Sequence, residues 1–263
     1  MIEWDINPVI FSLGPLHPRY YGVLFALAFV VSYRFMRIMF ADDKKTLKQL
    51  DSLTITMIVA TILGARLGHV LFYEPHILTD NPLRLFAIWE GGLASHGGAL
   101  GIIAGLWWYH KKNKGFSMIW LLDRMAVAAA LCGVFIRVGN FFNSEIIGRE
   151  TDLPWAVWFK LVDPVPVGRH PAQLYEAVLY LVIFGFLWWR YQQRDSFTNP
   201  GRLIGLFMVL VFSGRFLIEF LKEHQEAFEA SLPLDMGQLL SIPFILAGIY
   251  FLNYSRHSRK TVQ

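Results

Sequence analysis

Seven times in its 263 residues the chain stays apolar for about the length a helix needs to cross a lipid bilayer. An α-helix rises about 1.5 Å per residue, so ~20 residues cover the ~30 Å of hydrocarbon. The runs extend from Tyr20 to Met39, Leu53 to Phe72, Gly92 to Tyr109, Ile119 to Arg137, Leu174 to Trp189, Leu203 to Phe220 and Met236 to Asn253. Lipid offers the backbone no hydrogen-bonding partners, so each run must pair its own N–H and C=O groups as a helix. Only 17% of residues are charged against 55% hydrophobic, too little polar surface for a water-soluble chain of this length. The expectation is an all-α integral membrane protein: one membrane domain over residues 1–263 with seven transmembrane helices.

Basic residues give the direction of threading. One set of flanks holds Arg34, Arg37, Lys44, Lys45, Lys48, Lys111, Lys112, Lys114, Arg190, Arg194, Arg202, Arg256, Arg259 and Lys260; the other holds Arg19, Arg84, Arg149, Lys160, Arg169 and Lys222. The richer set belongs in the cytoplasm, which puts the N-terminus outside and the C-terminus inside. Trp107, Trp108, Trp120, Trp188 and Trp189 fall near the cytoplasmic boundary, as an aromatic belt does. The segment Asn140 to Pro171 between the fourth and fifth runs is polar and proline-rich and contains Trp155 and Trp158. It is expected to form a small external head.

The same features exclude other classes. The net charge of +4 comes from tracts between apolar runs, so it reads as a topology signal and implies no nucleic-acid partner. The lone Cys132 builds neither a disulfide framework nor a zinc cluster and is expected to be a buried structural thiol. No HExxH, phosphate-loop or GxSxG pattern occurs and the eight histidines are scattered, which implies no metal and no nucleotide. The N-terminal segment lacks a basic region followed by a cleavage site, so no cleavable signal peptide is expected.

A charge inside hydrocarbon costs about 3 kcal/mol on insertion scales, so such a residue normally faces a cavity or a partner. Arg215 and Glu219 are four apart and can pair on one helix face. Arg137 and Asn140 are three apart at the outer end of the fourth run. Arg66 and His69 share a helix with Gly64 and Gly68, where a small-residue packing face with a polar bridge is the plainer reading. Asp123 and Arg124 start a run at the cytoplasmic side and read as structural. His96 opens the third run among Gly91, Gly92, Gly97 and Gly98, and a side chain with an ordinary pKa near 6.5 suits proton transfer. Gly97, Gly101 and Gly105, four apart, let another helix backbone come close. Two arginines in the outer half of the bilayer suggest an anion site, because guanidinium groups hold phosphate through paired hydrogen bonds. The anion available at that depth is a lipid headgroup.

The segment Arg137-Val138-Gly139-Asn140-Phe141-Phe142-Asn143-Ser144-Glu145-Ile146-Ile147-Gly148 closely resembles the signature of the prolipoprotein diacylglyceryl transferases. Tyr20-Tyr21-Gly22 is similar to that family's first-span motif. Trp89-Glu90-Gly91-Gly92, running on to His96-Gly97-Gly98, resembles its glycine-rich third span. His170-Pro171-Ala172-Gln173-Leu174-Tyr175-Glu176 resembles the opening of its fifth, and Arg215-Phe216-Leu217-Ile218-Glu219-Phe220 its sixth. The five islands lie in order along nearly the whole chain.

The resemblance implies a seven-span bundle with a small periplasmic head, in the bacterial inner membrane. It implies transfer of the sn-1,2-diacylglyceryl group of phosphatidylglycerol to the lipobox cysteine in a prolipoprotein signal peptide, as the first step of lipoprotein maturation. A thioether forms, glycerol-1-phosphate leaves, and no cofactor is required. It places Tyr21, His96, Arg137, Asn140, Glu145, Gly148, Arg215 and Glu219 in the active site. His96 would act as base and the two arginines would stabilise the leaving phosphate. Tyr21, Asn140, Glu145, Gly148 and Glu219 would contact or orient the substrate. Ile136 stands where many members have glycine, Val211 where many have tyrosine, and some members have tyrosine at the position of His96. The rival reading is an anion or lipid transporter whose path the intramembrane arginines line.

Overall fold

The computed structural model describes residues 1–14, 17–87, 92, 94–194, 198–224 and 233–260. Trp89, Glu90 and Gly91 of the glycine-rich motif lie outside the described residues. In chain order the elements are β1 (Ile2–Trp4), α1 (Tyr20–Asp42), α2 (Leu47–Phe72), α3 (Ile77–Asp80), a 3-10 turn (Pro82–Phe86), α4 (Ser95–Lys112), α5 (Met118–Phe142), β2 (Val157–Phe159), α6 (Ala172–Gln192), α7 (Arg202–Glu219) and α8 (Met236–Lys260).

A helix stands at each predicted run. Five are long and apolar enough to cross a membrane: α1, α2, α5, α6 and the Met236–His257 stretch of α8. The other two have 18 residues each; α4 closes on His110, Lys111 and Lys112, and α7 carries Arg202, Arg215 and Glu219. Boundaries moved where local signals were strong. Helix α2 starts at Leu47 rather than Leu53, because Thr46 and Gln49 form a reciprocal capping box on its first turn. Helix α5 continues past Arg137 to Phe142, so Asn140 lies inside the helix.

The chain divides into two compact units, Met36–Leu121 and Met1–Phe35 with Leu122–Gln263. In the first, α2 and α4 pack backbone to backbone. A β-carbon on Gly68 would lie 2.7 Å from the Cα of Gly97, and one on Gly101 would run into the carbonyl of Ala60. Only glycine permits that approach, as the four-residue spacing predicted. Buried Arg66 donates through Nε to the Leu85 carbonyl at 3.2 Å, through Nη1 to Gly92 at 3.3 Å and through Nη2 to Arg84 at 2.6 Å. These bonds satisfy backbone acceptors of the 3-10 turn and of Gly92. His69 meets Glu74 at 3.4 Å and stacks on Tyr73.

In the second unit α6 packs on α7 and α7 on α8. The fully buried Asp123 of α5 accepts hydrogen bonds from Gly201 N at 2.8 Å and Ile204 N at 3.0 Å. It thereby caps the orphaned N–H groups of α7 from another helix. Cys132 lies 3.3 Å from the Ser32 hydroxyl.

The loop after α5 folds on the N-terminal segment. β1 pairs in parallel with β2, Ile2 opposite Val157 and Trp4 opposite Phe159. Phe141, Ile147, Val157 and Phe159 form a small core against Trp4 and Leu174. Buried Arg169 clamps Asp163 with two hydrogen bonds, 2.6 and 2.7 Å. The Asp163 carboxylate raises the Arg169 pKa further above its ordinary value.

Candidate active site

The last turn of α5 puts Arg137 and Asn140 on one face, three residues apart. Arg137 Nη1 donates to Asn140 Oδ1 at 3.3 Å, and Asn140 Nδ2 donates to Glu145 Oε2 at 3.0 Å. Asn143 Nδ2 donates to the other Glu145 oxygen at 3.0 Å, so two amides orient an exposed carboxylate.

The turn that presents Glu145 is strained. Ser144 has φ +54° and Ile146 φ +57°, a left-handed conformation that is an outlier for a β-branched side chain. Such residues cost about 1–3 kcal/mol each and persist where surrounding contacts over-determine them. Here the fully buried Gln173 donates to the Glu145 carbonyl at 2.6 Å, and Glu145 N donates to the Asn140 carbonyl at 3.0 Å.

Gly148 sits where three chain segments meet. Its N–H donates to the His170 carbonyl at 3.0 Å, and it forms an antiparallel bridge with Lys222. A β-carbon there would collide with His170, so a side chain is sterically excluded. The Tyr21 ring lies on Gly139, and its phenol is within electrostatic reach of Glu145 and Arg137.

Glu176, one turn into α6, is the centre of the charged cluster and has no solvent exposure. Arg137 Nε approaches its Oε2 at 2.9 Å, an ion pair without hydrogen-bond alignment. Lys222 Nζ lies 3.2 Å and Arg215 Nε 3.9 Å from its Oε1. Lys222 also reaches Glu219 Oε2 at 2.9 Å. Tyr180 supports Arg215. The helix places Arg215 and Glu219 four apart as expected, yet their ion pairs go elsewhere, to Glu176 and to Lys222 respectively. Packing offered Arg215 a carboxylate on α6, and the turn that ends α7 brought Lys222, three residues on, to Glu219.

The structure therefore brings Arg137, Asn140, Glu145, Arg215 and Glu219 into one network, with Tyr21 and Gly148 bordering it. His96 belongs to the Met36–Leu121 unit. It is exposed at the start of α4, its ring 5.4 Å from Phe72 and 6.1 Å from Tyr73.

Glu176 and Lys222 were not among the predicted site residues. Glu176 carried a signal, since a carboxylate inside an apolar run is as costly as an arginine. Lys222 was placed with the solvated outer flanks; it is 2% exposed and clasped by two carboxylates.

Each guanidinium carries five N–H donors, more than the single Nε contact to Glu176 uses, and so has donors for a second anion. Arg137 in contact with this carboxylate and Arg215 standing 3.9 Å from it make a region of positive potential suited to a phosphate.

Residues 8–254 match the family model described as Prolipoprotein diacylglyceryl transferase. The chain is 45% identical over 251 residues to a protein of Chloroherpeton thalassium, covering 95% of this chain and 93% of that one. It is 43% identical over 252 residues to a protein of Tolumonas auensis, covering 96% of each. A protein of Porphyromonas gingivalis is 44% identical over 264 residues, covering 95% of this chain and 93% of that one. All three relatives carry the name phosphatidylglycerol–prolipoprotein diacylglyceryl transferase. The chain belongs to the prolipoprotein diacylglyceryl transferase family.

Proposed function

We propose that this protein transfers the diacylglyceryl group of phosphatidylglycerol to the cysteine thiol of a prolipoprotein, and that the Arg137–Glu176–Arg215 cluster holds the lipid phosphate. The observation that carries the site assignment is the convergence of both arginines on one buried carboxylate. The thiol sulfur attacks the glycerol carbon that bears the phosphate. A carbon–sulfur bond forms, the carbon–oxygen bond breaks, and its electron pair leaves on the phosphate as glycerol-1-phosphate. The departing phosphate gains negative charge, which two fixed guanidinium groups stabilise more in the transition state than in the ground state. A free thiol has a pKa near 8.5 and needs a proton acceptor or a positive field at neutral pH. His96 is the proposed acceptor. Asn140, Glu145 and Tyr21 orient the headgroup, Glu219 keeps the cations in place, and Gly148 allows close backbone approach.

In this reading α4 and α7 also span, giving seven crossings, since 18 residues reach about 27 Å and their end charges can snorkel. The N-terminus and the Asn140–Pro171 head face the periplasm, the C-terminus faces the cytoplasm, and the membrane is the bacterial inner membrane. The acceptor is the lipobox cysteine of a signal peptide. The transporter reading is not favoured, since the relatives named above are all transferases.

The test is mass spectrometry of a lipobox peptide incubated with the purified protein and phosphatidylglycerol, with a Cys→Ser peptide as control. A diacylglyceryl mass gain on the cysteine peptide alone is expected. No gain with folded protein and intact lipid would overturn the activity. Full transfer by Arg137→Ala would remove the phosphate site.

A further inference from the structure

The geometry points to Lys222 as a positioning residue that keeps Arg215 available for the lipid phosphate, an inference that rests on the phosphate site proposed above. Glu176 Oε1 is contested by two cations: Lys222 Nζ holds it at 3.2 Å while Arg215 Nε stands off at 3.9 Å. The same ammonium holds Glu219 Oε2 at 2.9 Å, so one lysine occupies both carboxylates that Arg215 could otherwise claim.

The backbone of Lys222 is fixed. Arg149 Nε donates to its carbonyl at 2.8 Å, Arg149 N to the Leu221 carbonyl at 2.9 Å, and Glu223 N to the Ile147 carbonyl at 3.2 Å. The ammonium therefore enters the cluster from a rigid strand-like ladder and not from a wandering side chain.

The charge count agrees. Arg137, Arg215 and Lys222 are three cations; Glu176 and Glu219 are the two buried carboxylates they share. Glu145, which reaches Arg137 through Asn140, is exposed and held by amides. Among the described residues, this cluster is left one positive charge in excess, the complement of one phosphodiester. Without Lys222 the count is neutral and Arg215 closes onto a carboxylate at short range, where the attraction is strongest.

The test compares the full-length parent in detergent with Lys222→Met, Lys222→Arg and the double variant Lys222→Met/Glu219→Gln. Lys222→Met is expected to raise KM for phosphatidylglycerol roughly tenfold or more, a typical cost of unbalancing a buried charge pair, with a smaller change in kcat. Lys222→Arg keeps the charge and restores most of the affinity. The double variant removes one acid with the base, restores the single excess charge, and recovers part of the KM. A Lys222→Met protein with parental KM, or a double variant no better than Lys222→Met, overturns the inference. Thermal melting of each variant separates misfolding from charge effects. Native mass spectrometry of bound phosphatidylglycerol reads the same comparison without turnover. A parent that retains the lipid but transfers nothing therefore sinks the proposed activity and leaves the Lys222 result standing on its own.

Discussion

Arg66 and Arg137 are both buried arginines on long apolar helices, and the contacts described for them differ in kind. Arg66 directs Nε, Nη1 and Nη2 to main-chain carbonyls, in a unit where α2 and α4 are joined by glycine backbones. Arg137 meets a carboxylate and an amide side chain, in a unit where ion pairs link α5, α6 and α7. Carbonyl partners are dipoles that complete a backbone and carry no net charge. Carboxylate partners set a local charge count, and that count can be completed by an anion from outside. A buried arginine that shares a carboxylate with other cations is thus a strong hint of a site.

Breaking the centre of the charged cluster should have the largest effect. Glu176→Gln leaves Arg137, Arg215 and Lys222 without their shared counter-charge, an expected loss of ~3–5 kcal/mol of stability together with transfer activity. Thermal unfolding and the peptide lipidation assay check both. Next, Arg137→Ala and Arg66→Ala should separate. The first is expected to lower kcat per folded molecule by ~100-fold or more, the usual size of losing one group that stabilises developing negative charge, and also to lower melting, since the buried Glu176 loses its nearest cation. The second is expected to cost ~1–3 kcal/mol of stability by orphaning buried carbonyls, while turnover per folded molecule stays near that of the parent. The reverse pattern would erase the distinction between the two arginines.

The backbone-held pair has its own breaking point. Gly101→Val should cost ~1–3 kcal/mol or more, because its side chain has the Ala60 carbonyl in its way. Asp123→Ala, which removes the cap of α7, should cost ~1 kcal/mol in the same melting assay. Lys160→Ala should leave melting unchanged, since its contacts to Glu3 and Asp5 lie at the surface, where water screens the charges.

Local signals carried much of this architecture. The glycines of α2 and α4 announced a close helix pair by spacing alone, and the contact is there. Arg137 and Asn140 were legible as partners because three residues along a helix bring side chains to one face. Arg215 and Glu219 satisfied the same rule at four residues and found other partners, since spacing reports adjacency and not the competition for each charge. The N-terminal strand gave no sign that it would pair with residues 157–159, because parallel pairing across such a distance depends on where the intervening helices return the chain.

The sequence by itself determined where the apolar helices lie, which flanks are basic and which motifs mark the family, because these depend on periodicity, run length and neighbouring residues. Only the tertiary structure decided that Glu176 would sit under two arginines and that Lys222, 46 residues further on, would reach it. Ion pairing between helices depends on the rotation and depth of each helix in the bundle. Those quantities are set by packing of the whole chain and are written at no single position of it.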